Sequence, residues 1–232
     1  MASPGLRAIR WQDQTVGDIL KGVVEDKAWI PGPLWWAWHY TKTFDEHWLY
    51  KRLEGPYAPF PRLPYFPWLF SQMLTKTILF IPKSHEMMVS WAVVAYGVWM
   101  CQNFPRSRVL LQSQKLEKAC ELVKGTEPPG YARTLWERQP RWLRNHFPLA
   151  DRLENLPADR MVWANGSAMQ GVGKGADQVR TYHPTLVIFD EMAFIEEAEA
   201  SFSAVLPVAK QIICVSTAGP PGCFFNEVCS RE

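Results

Sequence analysis

Two adjacent carboxylates, Asp190 and Glu191, close the run Leu186–Glu191, LVIFDE. Four apolar residues, largely β-prone, precede them. Such a run reads as a strand buried on both faces, as in a parallel sheet. It delivers both acids to its C-terminal end, where open α/β sheets bind ligands. A pair of this kind suits nucleotide hydrolysis: one carboxylate holds Mg²⁺ and the next polarises the attacking water. Upstream, Thr77–Ile81 reads as a strand that runs through Pro82, Lys83, Ser84, His85, Glu86, Met87, Met88, Val89 and Ser90 into a helix. Strand, loop and helix in that order aim backbone N–H groups and a helix dipole at phosphates. The standard phosphate loop is GxxxxGK[ST]. Here the loop has no glycine, and Val89 takes the lysine position. Ser90 remains, placed to coordinate Mg²⁺. Lys83, at the start of the loop, could reach the β- and γ-phosphates from the other side. Alone, the loop is equally an ordinary strand–helix turn. Downstream, the strand within Ile212–Ala218 ends in Ser216 and Thr217, whose hydroxyls fit a sensor or coupling element near a γ-phosphate.

These strand ends need a frame. Arg108–Gln112 predicts a further strand, followed by an amphipathic helix from about Lys115 to Lys124. A helix is predicted from about Met88 to Cys101, and another starts near Ile195. Strands that alternate with helices point to a mostly parallel sheet. Arg160–Gly171 predicts a hairpin turning at Asn165-Gly166, the preferred type I′ pair. Gly125–Pro148 reads as irregular and basic. Its Arg133, Arg138, Arg141 and Arg144, with Trp136 and Trp142, could track a phosphate backbone or form a solvated basic helix.

The N-terminal part differs. Residues 1–54 read as helical and amphipathic, and the aromatic residues of Ala28–Leu53 fit a core stripe better than a base-stacking surface. Gly55–Pro67 carries five prolines and reads as an extended linker. The predicted division is therefore 1–60 for the helical segment with its linker and 61–232 for the α/β domain.

At 232 residues the chain can bury a full core. Its 47% hydrophobic and 21% charged content is that of a globular protein, and a net charge of +2 neither demands nor excludes a polyanionic partner. Five cysteines form no CxxC pair and no disulfide scaffold, so reduced thiols are expected. The apolar stretch Met87–Met100 is too short for a membrane span of ~20 residues. No histidine pair has zinc-ligand spacing. Glu196, Glu197 and Glu199 fit a solvated first helical turn.

With these motifs in place, the chain resembles the ATPase domain of the large terminase subunit, the DNA-packaging motor of tailed bacteriophages. The residues that carry the resemblance are Lys83–Ser90 with Trp91, the Val109–Gln112 strand, Asn165-Gly166-Ser167 through Gly171 to Arg180, Leu186–Glu191 with Met192-Ala193-Phe194, and Ser216-Thr217-Ala218. They span roughly residues 60–222. Some members of that family carry the phosphate-loop lysine at the loop's start, as Lys83 would. The family usually has arginine where His85 stands and glycine where Met88 stands. Its adenine-side glutamine, expected after Pro64-Tyr65, is Phe66 here.

The resemblance implies a fold class: α/β, a P-loop-type (ASCE) ATPase with a mostly parallel central sheet flanked by helices, plus an N-terminal helical appendage. It implies ATP and Mg²⁺ as cofactors. ATP-binding would fall to the loop, Lys83, Ser84, His85, Glu86, Met87, Met88, Val89 and Ser90, and metal to Ser90 and Asp190. Glu191 would orient or deprotonate water, Arg180 would be an arginine finger acting on a neighbouring subunit's ATP, and Ser216-Thr217 would couple hydrolysis to motion. For Arg180 a structural ion pair is an equal alternative. The implied function is ATP hydrolysis that drives double-stranded DNA into a procapsid in the host cell cytoplasm. The implied partners are DNA, the portal protein, the small terminase subunit and further copies in a homo-oligomeric ring, with no membrane. The family's nuclease domain is not expected in this chain, so no nuclease activity is expected. Two other readings stay open: a helicase-like nucleic-acid ATPase, and a degenerate nucleotide-binding or docking module without turnover.

Overall fold

The computed structural model describes residues 18–25, 28–45, 47–51, 54–173 and 183–230. A six-stranded sheet forms its centre. Its strands are β5 (Ile78–Pro82), β6 (Arg108–Gln112), β7 (Arg160–Val162), β8 (Ala168–Val172), β9 (Leu186–Asp190) and β10 (Gln211–Ser216). They lie in the order β5-β10-β9-β6-β8-β7. All neighbouring pairs are parallel except the β7–β8 hairpin. The last strand in sequence thus sits between β5 and β9, and the C-terminal ends of all three open on one edge.

Period-two alternation builds two cores from these strands. Leu186 and Ile188 of β9 face one layer, and Val187 and Phe189 face the other. Ile213 and Val215 of β10 join the first layer, with Ile212 and Cys214 in the second. Burial on both faces explains why these strands read as unbroken apolar runs. The first layer centres on α3 (Val89–Asn103), in which every residue but Ser90 and Asn103 is buried. A helix apolar all round must be covered all round. The sheet covers one side. The others are covered by α1 (Gly32–Tyr40), α2 (Phe66–Thr75) and α5 (Tyr131–Glu137). On the opposite sheet face, α7 (Ala198–Val205) and α8 (Phe224–Ser230) close the second layer.

The N-terminal part corrects the expectation of a helical segment through residue 54. Among the described residues of Ala28–Leu53, only α1 is helical. Around it lie two antiparallel ribbons, β1 (Val23–Glu25) with β2 (Ala28–Ile30), and β3 (Lys42–Phe44) with β4 (Tyr57–Pro59). The proline-rich stretch is extended only as far as Leu63; it pairs through β4 and buries Phe60. Pro64 and Tyr65 then turn, and Phe66 and Pro67 already belong to α2. Aromatic and β-branched residues favour pleated packing once a partner strand is present. Trp36 is fully buried, and Trp35, Trp38, Tyr40 and Phe44 pack partly buried against the core, whereas Trp29, Leu49 and Tyr50 are exposed, so the aromatic stripe is core only in part. The Trp99 indole also donates to the Ile19 carbonyl at 2.8 Å, which fixes this layer to α3.

Two further expectations change. The stretch after Gly125 is not irregular throughout: it forms α5 and α6 (Arg141–His146). The hairpin exists, but its turn is not type I′. Gly166 has φ +83°, whereas Asn165 is not among the residues with positive φ. The bonds Gly166 N–H to Trp163 O and Trp163 N–H to Ser167 O define a three-residue loop with glycine in the left-handed position. Asn165 is engaged elsewhere: its amide donates to the carbonyls of Cys101 and Gln102 at 2.9 and 3.1 Å, capping the end of α3. The cysteines carry no disulfide, and no described helix is long and apolar enough to cross a membrane.

The helix α4 (Leu116–Leu122) lies against β8. Close approach depends on Gly171: a Cβ there would meet the Ala119 backbone at 3.0 Å. Gly171→Val is therefore expected to push α4 off the sheet and destabilise the protein by about 1–3 kcal/mol. Urea denaturation measures this, and an unchanged midpoint would contradict the packing described.

Candidate nucleotide site

Neighbouring parallel strands bring three sequence-distant segments together at one sheet edge. β5 delivers Lys83, whose N–H continues the ladder to the Ser216 carbonyl at 3.0 Å. β9 delivers Asp190 and Glu191, and β10 delivers Ser216 and Thr217. The loop after β5 then turns into α3, whose first turn carries Ser90.

The polar groups meet directly. The Ser90 hydroxyl donates to Asp190 Oδ1 at 2.7 Å. Lys83 Nζ lies 2.6 Å from Glu191 Oε1. The other oxygen of Glu191 accepts from the Thr217 N–H at 3.1 Å, the Thr217 hydroxyl at 2.9 Å and, more distantly, the Ser216 hydroxyl at 3.4 Å. Ser216 Oγ in turn accepts the Ala193 N–H at 3.1 Å. The paired hydroxyls at the end of β10 therefore hold the carboxylate of Glu191 and the turn that follows it.

The two acids differ in electrostatics. Asp190 is 8% exposed, and burial pushes its carboxyl up to about 6, against the Ser90 hydrogen bond and the Lys83 charge, with Glu191 adding to the rise. A buried carboxylate with one hydroxyl partner would be stabilised in its charged form by a cation placed beside it. Burial also opposes charge on Glu191, but the Lys83 ammonium and the Thr217 donors outweigh it and hold Glu191 below its ordinary range.

The loop reproduces a glycine-built backbone without glycine. Met88, at the position of the second glycine of the standard pattern, has φ +54°. Glu86 has φ +61°, and Glu191 itself φ +51°. Left-handed backbone in residues with a Cβ costs roughly 1–2 kcal/mol each, and such strain concentrates at sites that use the shape. Tyr65 holds the loop from outside, its hydroxyl donating to the Met87 carbonyl. Tyr65 thus faces the loop, and Phe66 is fully buried. No side chain caps α3, so the orphan N–H groups of its first turn open onto the site.

A cavity of about 420 Å³ lies over these groups, lined by Lys83, Glu86–Trp91, Asp190 and Glu191. That volume is in the range of small-molecule sites. Ser84 and His85 are exposed and lie outside its lining. Arg180 lies outside the described residues. Four further lining residues stand out only in the structure: Gln114 after β6, Lys118 and Glu121 on α4, and Tyr131 on α5. Tyr131 stacks on Trp91 at 3.9 Å and 6°, forming a wall. Neither spacing nor motif marks these four, because only the order of the sheet places β6 beside β9.

The donor set suits Mg²⁺. Ser90 and Asp190 offer hard oxygens, and one carboxylate with one hydroxyl is typical where substrate phosphates and water complete the shell. No group of three acidic, histidine or cysteine side chains able to hold a metal exists among the described residues. Of the basic cluster, Arg133 pairs with Glu137 at 3.1 Å and Arg138 stacks 3.5 Å over the Tyr57 ring. Both are at least partly structural.

No protein-family model matches the sequence, and no curated protein matches it. Solved structures do. The chain is similar to the large terminase ATPase domain of Thermus phage P74-26, in a point-mutant form, with a TM-score of 0.51 and 15% identity, over 80% of this chain and 74% of that one. It is similar to the large terminase of bacteriophage HK97, with a TM-score of 0.51 and 10% identity, over 70% of this chain and 34% of that one. The match therefore spans about a third of the HK97 protein. At such identities the likeness establishes the fold, which is that of phage large terminase ATPase domains. The chemistry rests on the residues above.

Asp190→Asn should show that the buried charge serves binding, not stability. The substitution keeps an acceptor for Ser90 and removes a carboxylate held in its costly state at pH 7. It is expected to raise ligand-free stability by about 1 kcal/mol or more, while abolishing the stabilisation by Mg²⁺ with a nucleotide. Thermal unfolding with and without both ligands checks it. A lower melting temperature without ligand would contradict these electrostatics.

Proposed function

We propose that this chain is an ATPase, and that it powers translocation of double-stranded viral DNA into a procapsid. The observation that carries the ATPase reading is the convergence of Lys83, Ser90, Asp190 and Glu191 around one cavity at the C-terminal edge of the sheet, with Thr217 holding Glu191 from behind. The packaging role is the finer step. It is supported by the likeness in fold to two phage large terminases, together with the motif resemblance from Lys83 to Ala218.

The residues divide the work. The N–H groups of the loop and of the first turn of α3 receive phosphate oxygens, favoured by the helix dipole. Ser90 and Asp190 would hold Mg²⁺, which supplies charge neutralisation of the phosphates when bound. Lys83 has two competing acceptors, Glu191 Oε1 and an incoming phosphate. When it moves to the phosphate it adds positive charge there and frees one oxygen of Glu191. Thr217 and Ser216 keep the other oxygen fixed. Glu191 is then oriented, with a free lone pair, to position the attacking water or take its proton. Thr217 and Ser216 sense the same event through Glu191, which is how the end of β10 could couple hydrolysis to motion. The partners that follow from the packaging role are DNA, a portal protein, a small terminase subunit and further copies of this chain, in the host cytoplasm.

A second reading, a nucleotide-binding module without turnover, draws on Val89 in place of the loop lysine and on the Glu86 carboxylate in the cavity lining. The two readings part at one substitution. Glu191→Gln is expected to lower ATP turnover by about 10²–10⁴-fold and to leave binding of a non-hydrolysable analogue in place. Phosphate release and calorimetry measure the two effects. Turnover equal to that of the wild type would remove Glu191 from the reaction and favour the second reading.

A further inference from the structure

Among the described residues, the cavity is short of positive charge for the ligand proposed above. Its lining, among the described residues, carries four carboxylates, Glu86, Glu121, Asp190 and Glu191, and two lysines, Lys83 and Lys118. A nucleoside triphosphate adds several more negative charges, and Mg²⁺ offsets only part of them. The position that gives a standard phosphate loop its lysine is Val89, 3% exposed and packed into the core. Lys83 already balances Glu191.

That leaves Lys118. It springs from α4, a helix pinned by buried Ala119 and Leu122 and seated against β8 where Gly171 allows close contact. Its base is therefore fixed, while its side chain is 62% exposed at the mouth of the cavity. Its partner is Glu121, at 2.8 Å and itself 51% exposed. A surface pair of this kind is screened and readily exchanged. β6, which leads into α4, borders β9 on the side away from β10 and β5. Lys118 thus lines the cavity from the β6 side and Lys83 from the β5 side, and the end of a phosphate chain laid from the loop towards Glu191 would lie between the two lysines.

We propose that Lys118 is a second phosphate-binding residue, which exchanges Glu121 for the terminal phosphate of a bound nucleoside triphosphate. It stands in for the lysine that Val89 displaced, and Glu121 competes with the ligand for it. The proposal rests on the nucleotide-binding reading of the site. Because the contact is to the terminal phosphate, its signature is selectivity for a triphosphate over a diphosphate.

Calorimetry on the whole 232-residue chain, with Mg²⁺ and either a non-hydrolysable ATP analogue or ADP, tests it. Lys118→Ala is expected to weaken the analogue at least ~10-fold and ADP by less than ~2-fold, the range for losing one charge-assisted hydrogen bond. Lys118→Arg should retain most of the affinity. Glu121→Gln should tighten the analogue by about threefold, as expected for losing a competing surface charge, and should have no effect once Lys118 is alanine. Equal losses for both nucleotides, no loss for either, or a Glu121→Gln effect that persists without Lys118 would overturn the proposal. If Lys83→Ala weakens binding and Lys118→Ala does not, only the Lys118 role falls. If the wild type binds neither nucleotide, the nucleotide reading falls and this inference falls with it.

Discussion

The pairing of β10 between β5 and β9 is the constraint on which the site depends. Two parallel ladders place Ser216 beside Pro82 and Val215 beside Asp190. The loop lysine, the two carboxylates and the paired hydroxyls are far apart in sequence, yet they come within hydrogen-bond distance for this reason alone. Without the inserted strand, Lys83 and Glu191 would lose the group that joins them, since the Ser216 carbonyl holds the Lys83 N–H and Thr217 holds the Glu191 carboxylate. The apolar faces of these strands are buried in both layers, so the arrangement is held by the two cores. The site inherits that rigidity at its sheet edge.

Most of the sheet was legible in the sequence. β6 and β9 show as apolar runs ended by polar residues, and α3 as an apolar stretch opened by a serine. A strand buried on both faces has no choice but to read that way. The ribbons near the N-terminus were not legible, because strands of three residues carry too little periodicity to compete with a helical reading of an aromatic-rich stretch. The hairpin was legible and its turn was not: Asn165 gives its side chain to the end of α3, a demand that no local rule contains. In the site, the roles sought in Asp190, Glu191 and Ser90 rest on residues that the fold does bring together. The cavity wall of Gln114, Lys118, Glu121 and Tyr131 was invisible because strand order is a property of the sheet, not of any segment.

The glycine-free loop is where local residue pattern and backbone shape part most clearly. A pattern search discards it, since both glycines and the lysine are missing. The backbone nonetheless turns through left-handed conformations at Glu86 and Met88 and presents the uncapped start of α3 to the cavity. The shape is held from outside by Tyr65 on the Met87 carbonyl and from below by the ladder bond of Lys83. Residues with side chains make this strain costly, and the surrounding contacts offset it. A loop that keeps an unfavourable shape against its own local preference is a stronger sign of use than the residue pattern alone.

In the mechanism proposed, Lys83 divides its time between Glu191 and a phosphate, and Glu191 is released for chemistry when the lysine leaves. A crystal structure of the chain with Mg²⁺ and a non-hydrolysable ATP analogue bears on this without intermediates. Lys83 Nζ is then expected on phosphate oxygens, with Glu191 Oε1 free of it, Oε2 still held by Thr217, and the metal on Ser90 and Asp190. A bound nucleotide with the Lys83–Glu191 pair intact would show that the lysine does not exchange and that Glu191 is not freed in this way.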